Sequence, residues 1–334
     1  MVMKGDSGIG VLVVGGAGYI GSHMAKMLAQ AGFGVVILDN LSTGFPDAAR
    51  YGDLIRGDLS NQALLDRLFH EHAFVAVLHF AALSQVGESV RAPAQYYRNN
   101  VENTQNLLDA MLRHDVRRFI FSSSAAIFGE SEYTPIDEKH PLRPTNPYGR
   151  SKRMVEEMLA DYDHAYGLRS VSLRYFNAAG ADPEGELGER HDPESHLIPL
   201  VLQVANGRRE HVAIYGDDYP TPDGTCIRDY IYVWDLCCAH LLALEHLLAD
   251  GRSEAFNLGN GAGFSVQEVI DTARRVTGRD IPAIVQDRRP GDPAVRVADS
   301  QKARHDLGWE PRFQELETLL SHAWGWERAK GEAW

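Results

Sequence analysis

Tyr148 and Lys152 stand four residues apart, directly after Pro147. A proline at the first helical position predicts a helix starting here. On a helix that spacing turns both side chains to one face. A phenol beside an ammonium has its pKa drawn down from about 10, because positive charge favours the phenolate. Such a tyrosine can act as an acid and base near neutral pH. The same spacing is common on exposed helices, so it gains meaning only from its surroundings. One of these is Ser122-Ser123-Ser124, which ends the apolar run Phe119-Ile120-Phe121. A hydroxyl at Ser124 could share a proton with Tyr148 and a substrate oxygen. Alternation along a strand puts Ser122 and Ser124 on one side and Ser123 on the other, and residue chemistry does not choose between them.

Gly15, Gly18 and Gly21 form a second constellation, directly after an apolar strand and opening a helical pattern. Glycine permits the tight turn and lets the backbone approach a pyrophosphate, while the helix N-terminus offers N–H groups and a positive dipole end. Asp39 closes the next apolar run. A carboxylate there accepts from a ribose 2′-hydroxyl and repels a 2′-phosphate, which favours NAD over NADP. A nicotinamide cation would also favour a phenolate at Tyr148. Asp58 closes a further short strand read over 55–59. It fits either an adenine contact or the N-cap of the next helix.

These residues need a frame. Apolar runs at 9–14, 35–38, 75–80, 119–121 and 171–175 alternate with helical stretches near 20–30, 94–113 and 148–166. That rhythm predicts an α/β fold, with a Rossmann-type doubly wound parallel sheet buried on both faces. Past about residue 178 the rhythm breaks. Segments 182–193, 215–224 and 287–293 are polar and rich in Gly and Pro, and read as loops. The expected organisation is a dinucleotide-binding domain over 1–177, a chain that crosses back near 228–260, and a smaller C-terminal substrate-binding lobe over 178–334.

The composition narrows the function. The 334 residues carry a net charge of -13, which argues against a nucleic-acid partner, since phosphate neutralisation needs a basic face. It leaves room for an anionic small molecule in a local pocket. Cys226, Cys237 and Cys238 form no framework and read as reduced thiols of a cytoplasmic protein. No apolar run is long enough to span a membrane, and the first nine residues read as a short lead-in rather than a signal peptide. His70/His72 and His240/His246 lack the helical spacing of a zinc pair, so no metal is expected. No G-x-S-x-G elbow is present to suggest a serine hydrolase.

Taken together, GGAGYIG, Asp39, the serine-rich strand end and YGRSK resemble the extended short-chain dehydrogenase/reductases over nearly the whole chain. The second half is similar to the UDP-glucose 4-epimerase group through RYFN at 174–177, HLIP at 196–199 and YPTPDGTCIRDYI at 219–231. The resemblance implies a catalytic trio of Ser124, Tyr148 and Lys152. It implies NAD held by Gly15, Gly18, Tyr19, Ile20, Gly21, Asp39, Asn40, Leu41, Asp58, Phe80, Ala81, Ala82, Asn99, Ser122, Tyr148, Lys152 and Phe176. It implies a UDP-sugar held by Ser124, Asn177, His196, Leu197, Arg228, Arg289, Asp292 and Arg296. Arg228 and Arg289 suit a diphosphate, which guanidinium groups clamp bidentately. The implied activity is transient oxidation at sugar carbon 4 with return of hydrogen to the opposite face, in a homodimer formed through the two long helices.

The chain departs from the family pattern at Val14, Ser84, Ala126, Phe128, Arg150 and His196. Arg296 falls where the family often sets the room around the sugar's 2-substituent, and a long arginine can also swing outward. These departures bear on which sugar is accepted. Rival readings are a 4-epimerase of an N-acetylhexosamine, pentose or uronic-acid nucleotide, and a non-catalytic NAD-sensing regulator. A 4,6-dehydratase is disfavoured, because Ala125-Ala126-Ile127 offers no acid and base after the serines.

Overall fold

The structure is a computed structural model, and it describes residues 9–289 and 292–331. The N-terminal lead-in therefore lies outside the described residues except for its last member, Ile9, as do Pro290 and Gly291 of the 287–293 stretch. In chain order the first half holds β1 (Gly10–Val14), α1 (Tyr19–Gln30), β2 (Gly34–Asp39), β3 (Asp53–Arg56), α2 (Gln62–Glu71), β4 (Phe74–His79), α3 (Val86–Arg91) and α4 (Pro93–Tyr97). It continues with α5 (Asn103–Arg113), β5 (Arg118–Ser122), α6 (Pro147–Tyr166) and β6 (Arg169–Tyr175). Shorter elements follow: β7 (Asn177–Ala179), α7 (Leu197–Ala205), β8 (Val212–Tyr215), β9 (Ile227–Arg228), β10 (Tyr230–Tyr232), α8 (Val233–Leu248) and β11 (Glu254–Leu258). The chain ends with β12 (Phe264–Ser265), α9 (Val266–Thr277), β13 (Ala283–Gln286), β14 (Val295–Arg296), α10 (Gln301–Asp306) and α11 (Leu316–Gly331).

Two compact units result. The first is assembled from residues up to Gly129, from Pro141–Arg174 and from Cys237–Phe256. Its seven-stranded sheet has the order β11-β6-β5-β4-β1-β2-β3, and every pair from β3 across to β6 is parallel. The order reverses at β1, which is the doubly wound pattern and opens a crevice at the carboxyl ends of the strands. Strand alternation divides the core. Leu12 and Val14 face a cluster that includes Leu64 and Leu68 of α2, Leu107 and Met111 of α5, and Val155 and Leu159 of α6. Val11 and Val13 point the other way, and α1 buries Met24 and Leu28 in its packing on β1 and β2. Both faces are therefore dry, as the continuous apolar runs require.

A π-helical turn over Arg98–Glu102 joins α4 to α5, so the single helix read over 94–113 is a composite. β3 is shorter than its sequence suggests. It ends at Arg56, because Gly57 turns the chain and its N–H returns to the Asp39 carbonyl at 3.0 Å.

The second unit holds Glu130–His140, Tyr175–Leu236 and the residues from Asn257 on. Its core is helical, with α7, α9 and α11 contributing Val201, Val269, Ile270, Leu319 and Leu320. Around it lie small sheets: β7 beside β10 and β8 beside β13, each pair parallel, and β9 between β12 and β14. Ser265 caps α9 with a reciprocal capping box to Glu268. Among the described residues no helix is long and apolar enough to cross a membrane.

Candidate active site

In the first unit the glycine turn follows β1 directly. Gly15 sits at φ +82°, and a Cβ there would stand 2.5 Å from the Ala81 nitrogen. A Cβ on Gly21 would stand 2.1 Å from the Gly15 carbonyl oxygen, so α1 can approach the turn only at a glycine. Gly18 is the N-cap of α1, and Tyr19 and Ile20 form its first turn. Asp39 stitches this turn to the end of β2: its Oδ2 accepts from Ala17 N at 2.9 Å and its Oδ1 from Leu41 N at 2.8 Å. Leu41 adopts φ 60°, a conformation unusual for a branched side chain and held here by that bond. Each Asp39 oxygen keeps a further lone pair for a ribose hydroxyl. Asn40 donates to Asp58 at 2.6 Å. Asp58 also accepts from Ser60 N at 2.9 Å, while the cap of α2 is Asn61. The N-cap alternative for Asp58 thus falls away. The N–H groups of Phe80 and Ala81 both bond the Val14 carbonyl, at 2.8 and 3.1 Å, which brings Phe80, Ala81 and Ala82 beside the glycine turn. A closely approached backbone turn, an open helix N-terminus and a carboxylate at the second strand end fit a dinucleotide.

The catalytic helix α6 begins where expected. Asn146 is its N-cap, accepting from Gly149 N at 2.9 Å, and Pro147 occupies the first turn. Tyr148 is half-buried, and loss of solvent around its phenol pushes it above the ordinary tyrosine value while a hydrogen bond with Ser124 pulls it down. Lys152 is buried, and burial brings its ammonium down to about 7, with Glu156 acting in the opposite direction. Its Nζ donates to the Ser122 carbonyl at 2.7 Å and lies 4.7 Å from the centre of the Phe121 ring. In the protein alone burial thus outweighs the lowering of the Tyr148 phenol, which comes from Ser124 rather than from Lys152 as expected, and a nicotinamide cation would add to the opposing effect.

The three serines have separate tasks. Ser122 Oγ lies 3.1 Å from His240 Nε2. Ser123 donates to Glu156 at 2.5 Å. Ser124 accepts from Ala126 N at 3.1 Å and meets Tyr148.

Several supporting residues escape a sequence reading. Asn100, at 3% exposure in the π-helical turn, accepts from Leu83 N and donates to the Leu83 carbonyl, both at 2.9 Å, and to Ser151 Oγ at 3.1 Å. It ties the strand-end loop to the catalytic helix, and the expected cofactor residue Asn99 donates to it at 2.9 Å. A π turn in a helix is itself a common mark of a functional site. His240 faces the Phe80 ring at 4.9 Å between centroids, which sets it under the site. Glu156 also receives Arg174 in a buried, forked ion pair, 2.5 Å at its shortest. Nothing in the spacing of these residues announces such partners.

The second unit gathers the remaining residues. Asn177 donates its side chain to the Asp229 carbonyl at 2.9 Å, and Phe176 precedes it with its N–H on the Leu258 carbonyl at 3.3 Å. Leu197 opens α7, and His196 stands just before it. Arg228 donates to Asp292 at 2.7 Å and to the Pro293 carbonyl at 2.9 Å. Arg289 lies over the Tyr215 ring at 3.8 Å. Arg296 is half-buried. Burial and the neighbouring Arg228 bring its guanidinium down to about 10 against the pull of Asp292, so it stays charged at neutral pH and is not extended into solvent. The result is two guanidinium groups, of Arg228 and Arg296, at one carboxylate, a surplus of positive charge that suits a diphosphate. Asp229, fully buried, fixes the strand beside them by accepting from Asn260, Gly261 and Ala298 N–H groups at 2.6, 3.0 and 3.0 Å.

Residues 11–259 match the model of the NAD dependent epimerase/dehydratase family. The chain belongs to that family. NAD is the cofactor its description names. The chain is 56% identical to a UDP-glucose 4-epimerase of Halalkalibacterium halodurans, over 95% of each chain. It is 54% identical to one of Streptomyces lividans, over 94% of this chain and 95% of the other. The crystal structure of a UDP-glucose 4-epimerase from Brucella ovis in complex with NAD superposes with a TM-score of 0.93, at 52% identity, over 96% of this chain and 98% of that one.

Proposed function

We propose that the protein interconverts UDP-galactose and UDP-glucose by transient oxidation at sugar carbon 4. The observation that carries this is the Ser124–Tyr148–Lys152 cluster in the unit that bears the NAD turn. The cofactor would rest on Gly15, Gly18, Tyr19, Ile20 and Gly21, with its adenosine ribose on Asp39. NAD, when bound, supplies a reversible hydride acceptor for carbon 4. Tyr148 takes the proton of the 4-hydroxyl, Ser124 orients that oxygen, and Lys152 with its positive charge favours the phenolate. The same tyrosine returns the proton after the sugar presents its other face, so nothing is consumed. Arg228 and Arg289 take the diphosphate, Asp292 a ribose hydroxyl of the uridine, and Asn177 and Leu197 frame the sugar. The names of the similar proteins favour a hexose over the pentose and uronic-acid readings.

The finer setting belongs to the same reading. We infer a cytoplasmic homodimer joined through the two long helices. The three cysteines, none of them in a disulfide, and the exposed Met154 on α6 support that inference.

The test is to incubate the purified protein with UDP-galactose, without added NAD, and to quantify UDP-glucose. Conversion is expected, with the cofactor retained through purification. No conversion with or without added NAD overturns the hexose assignment.

A further inference from the structure

Four side chains converge in the loop between β7 and α7. Glu189, His191, Glu194 and His196 each turn one donor atom into a space where all four lie within 4.8 Å of one another. Both histidines present Nδ1. The His191 nitrogen lies 3.4 Å from Glu189 Oε1 and 3.4 Å from Glu194 Oε2. The His196 nitrogen lies 2.9 Å from Glu189 Oε1 and 3.0 Å from Glu194 Oε1. A tetrahedral zinc ion with bonds of about 2.0–2.1 Å holds its donors about 3.3 Å apart. Both histidine nitrogens lie near that edge length from the same Glu189 oxygen, and each lies near it from one of the two Glu194 oxygens.

The setting is built rather than incidental. The two carboxylates are 7% and 5% exposed, so two negative charges are enclosed side by side. Glu194 is aimed by its own backbone, with its Oε1 accepting Ser195 and His196 N–H groups at 2.8 and 2.9 Å. The start of the 189–196 segment is pinned, by the bridge between Ala181 and Gly188 and by Trp326 Nε1 donating to the Glu189 carbonyl at 3.1 Å. Such outer contacts are what orient metal ligands. His196 is 49% exposed, which leaves a path for an ion.

We propose that Glu189, His191, Glu194 and His196 form a structural site for a divalent transition metal, with zinc the best fit. Two imidazole nitrogens and two carboxylates suit zinc, whereas magnesium and calcium take all-oxygen shells. Two carboxylates and two imidazoles balance the ion's charge once the ion displaces the protons that Glu189 and Glu194 favour on His191 and His196. The expectation of no metal rested on histidine pairs elsewhere, and a loop brings these four groups together without helical spacing. The site would fasten the 189–196 loop to the start of α7. It uses His196, which the resemblance assigns to the sugar nucleotide, but its readout is the metal itself, so its failure would leave the sugar-nucleotide reading standing. The neighbouring acidic group Asp182, Glu184 and Glu186 has no histidine and carries no proposal.

The test uses the NAD-bound enzyme, purified without chelator or histidine tag, with metal content measured by elemental analysis. One zinc ion per chain is expected, and cobalt exchanged into the site should give the intense visible bands of a tetrahedral nitrogen–oxygen shell. His191→Ala should weaken zinc binding by at least about 10-fold in a calorimetric titration while NAD stays bound. Absence of zinc together with no uptake of added zinc overturns the proposal, as does equal binding by His191→Ala. Should that variant fail to fold, the cobalt spectrum of the parent decides, since weak six-coordinate bands would exclude the four-ligand site.

Discussion

The cofactor-bearing unit and the unit that carries the arginines are organised by different forces. In the first, the chemical groups are fixed to the backbone. Lys152 is bonded to the Ser122 carbonyl, Ser124 accepts from Ala126 N, and Asp39 uses both oxygens on backbone N–H groups, of Ala17 in the glycine turn and of Leu41. In the second, charged side chains hold one another. Arg228 takes Asp292, and Arg289 lies on Tyr215. A group tied to the backbone is preorganised and is unchanged by ligand arrival, which suits chemistry at a fixed atom. A group tied to another side chain must exchange that partner for the ligand, which suits recognition more than catalysis.

Tyr148→Phe tests the first half of this contrast most severely. It should lower kcat by about 10²–10⁴ with little change in KM or in retained NAD, the usual range for a lost general acid and base. A loss confined to KM would reverse the assignment of the two units.

Glu156→Gln probes the scaffold under the same cluster. It leaves a buried Arg174 without its carboxylate and should cost about 3 kcal/mol of stability in denaturant unfolding. An unaffected midpoint would mean that the buried pair does not fix the cluster.

Lys152→Met tests the cost of the buried ammonium. Burial lowers this pKa from 10.5 in the unfolded chain to about 7. The unfolded chain then binds more protons between these values, so stability should rise with pH across that window. The penalty is complete below pH 7 and vanishes above the unfolded value. In NAD-free protein Lys152→Met should therefore unfold later than the parent at pH 6, by up to about 5 kcal/mol less the contribution of the lost bond to the Ser122 carbonyl, with the gap closing toward pH 10. A variant no more stable than its parent at pH 6 would show that the Ser122 carbonyl needs the ammonium more than burial opposes it.

Arg228→Met should have the smallest effect. A lost charge-assisted contact is worth about 1.5–3 kcal/mol, so KM for the UDP-sugar should rise roughly 10-fold or more with kcat nearly kept. A kcat effect as large as that of Tyr148→Phe would erase the distinction between the units.

The contrast also governs what the sequence reveals. The glycine turn, Asp39 and the Tyr148–Lys152 spacing are legible because each is local: a turn, a strand end, one helical face. The sheet was legible for the same reason, from continuous apolar strands. Asn100 was missed because its partners Leu83 and Ser151 are 17 and 51 positions away and its π-helical turn has no periodic signature. His240 and Ser122 are 118 positions apart. The arginines of the second unit emerged only through resemblance, since Arg228 and Asp292 stand 64 positions apart in loops and two-residue strands.

The double engagement of Asp39 also limits how this fold can evolve. One carboxylate both discriminates between dinucleotides and closes the turn through Ala17 and Leu41. A substitution that welcomed a phosphorylated ribose would unstitch the turn in the same step. Drift in cofactor preference would thus need a compensating change in the loop before the first mutation could be tolerated, which favours inheritance of the preference along with the fold.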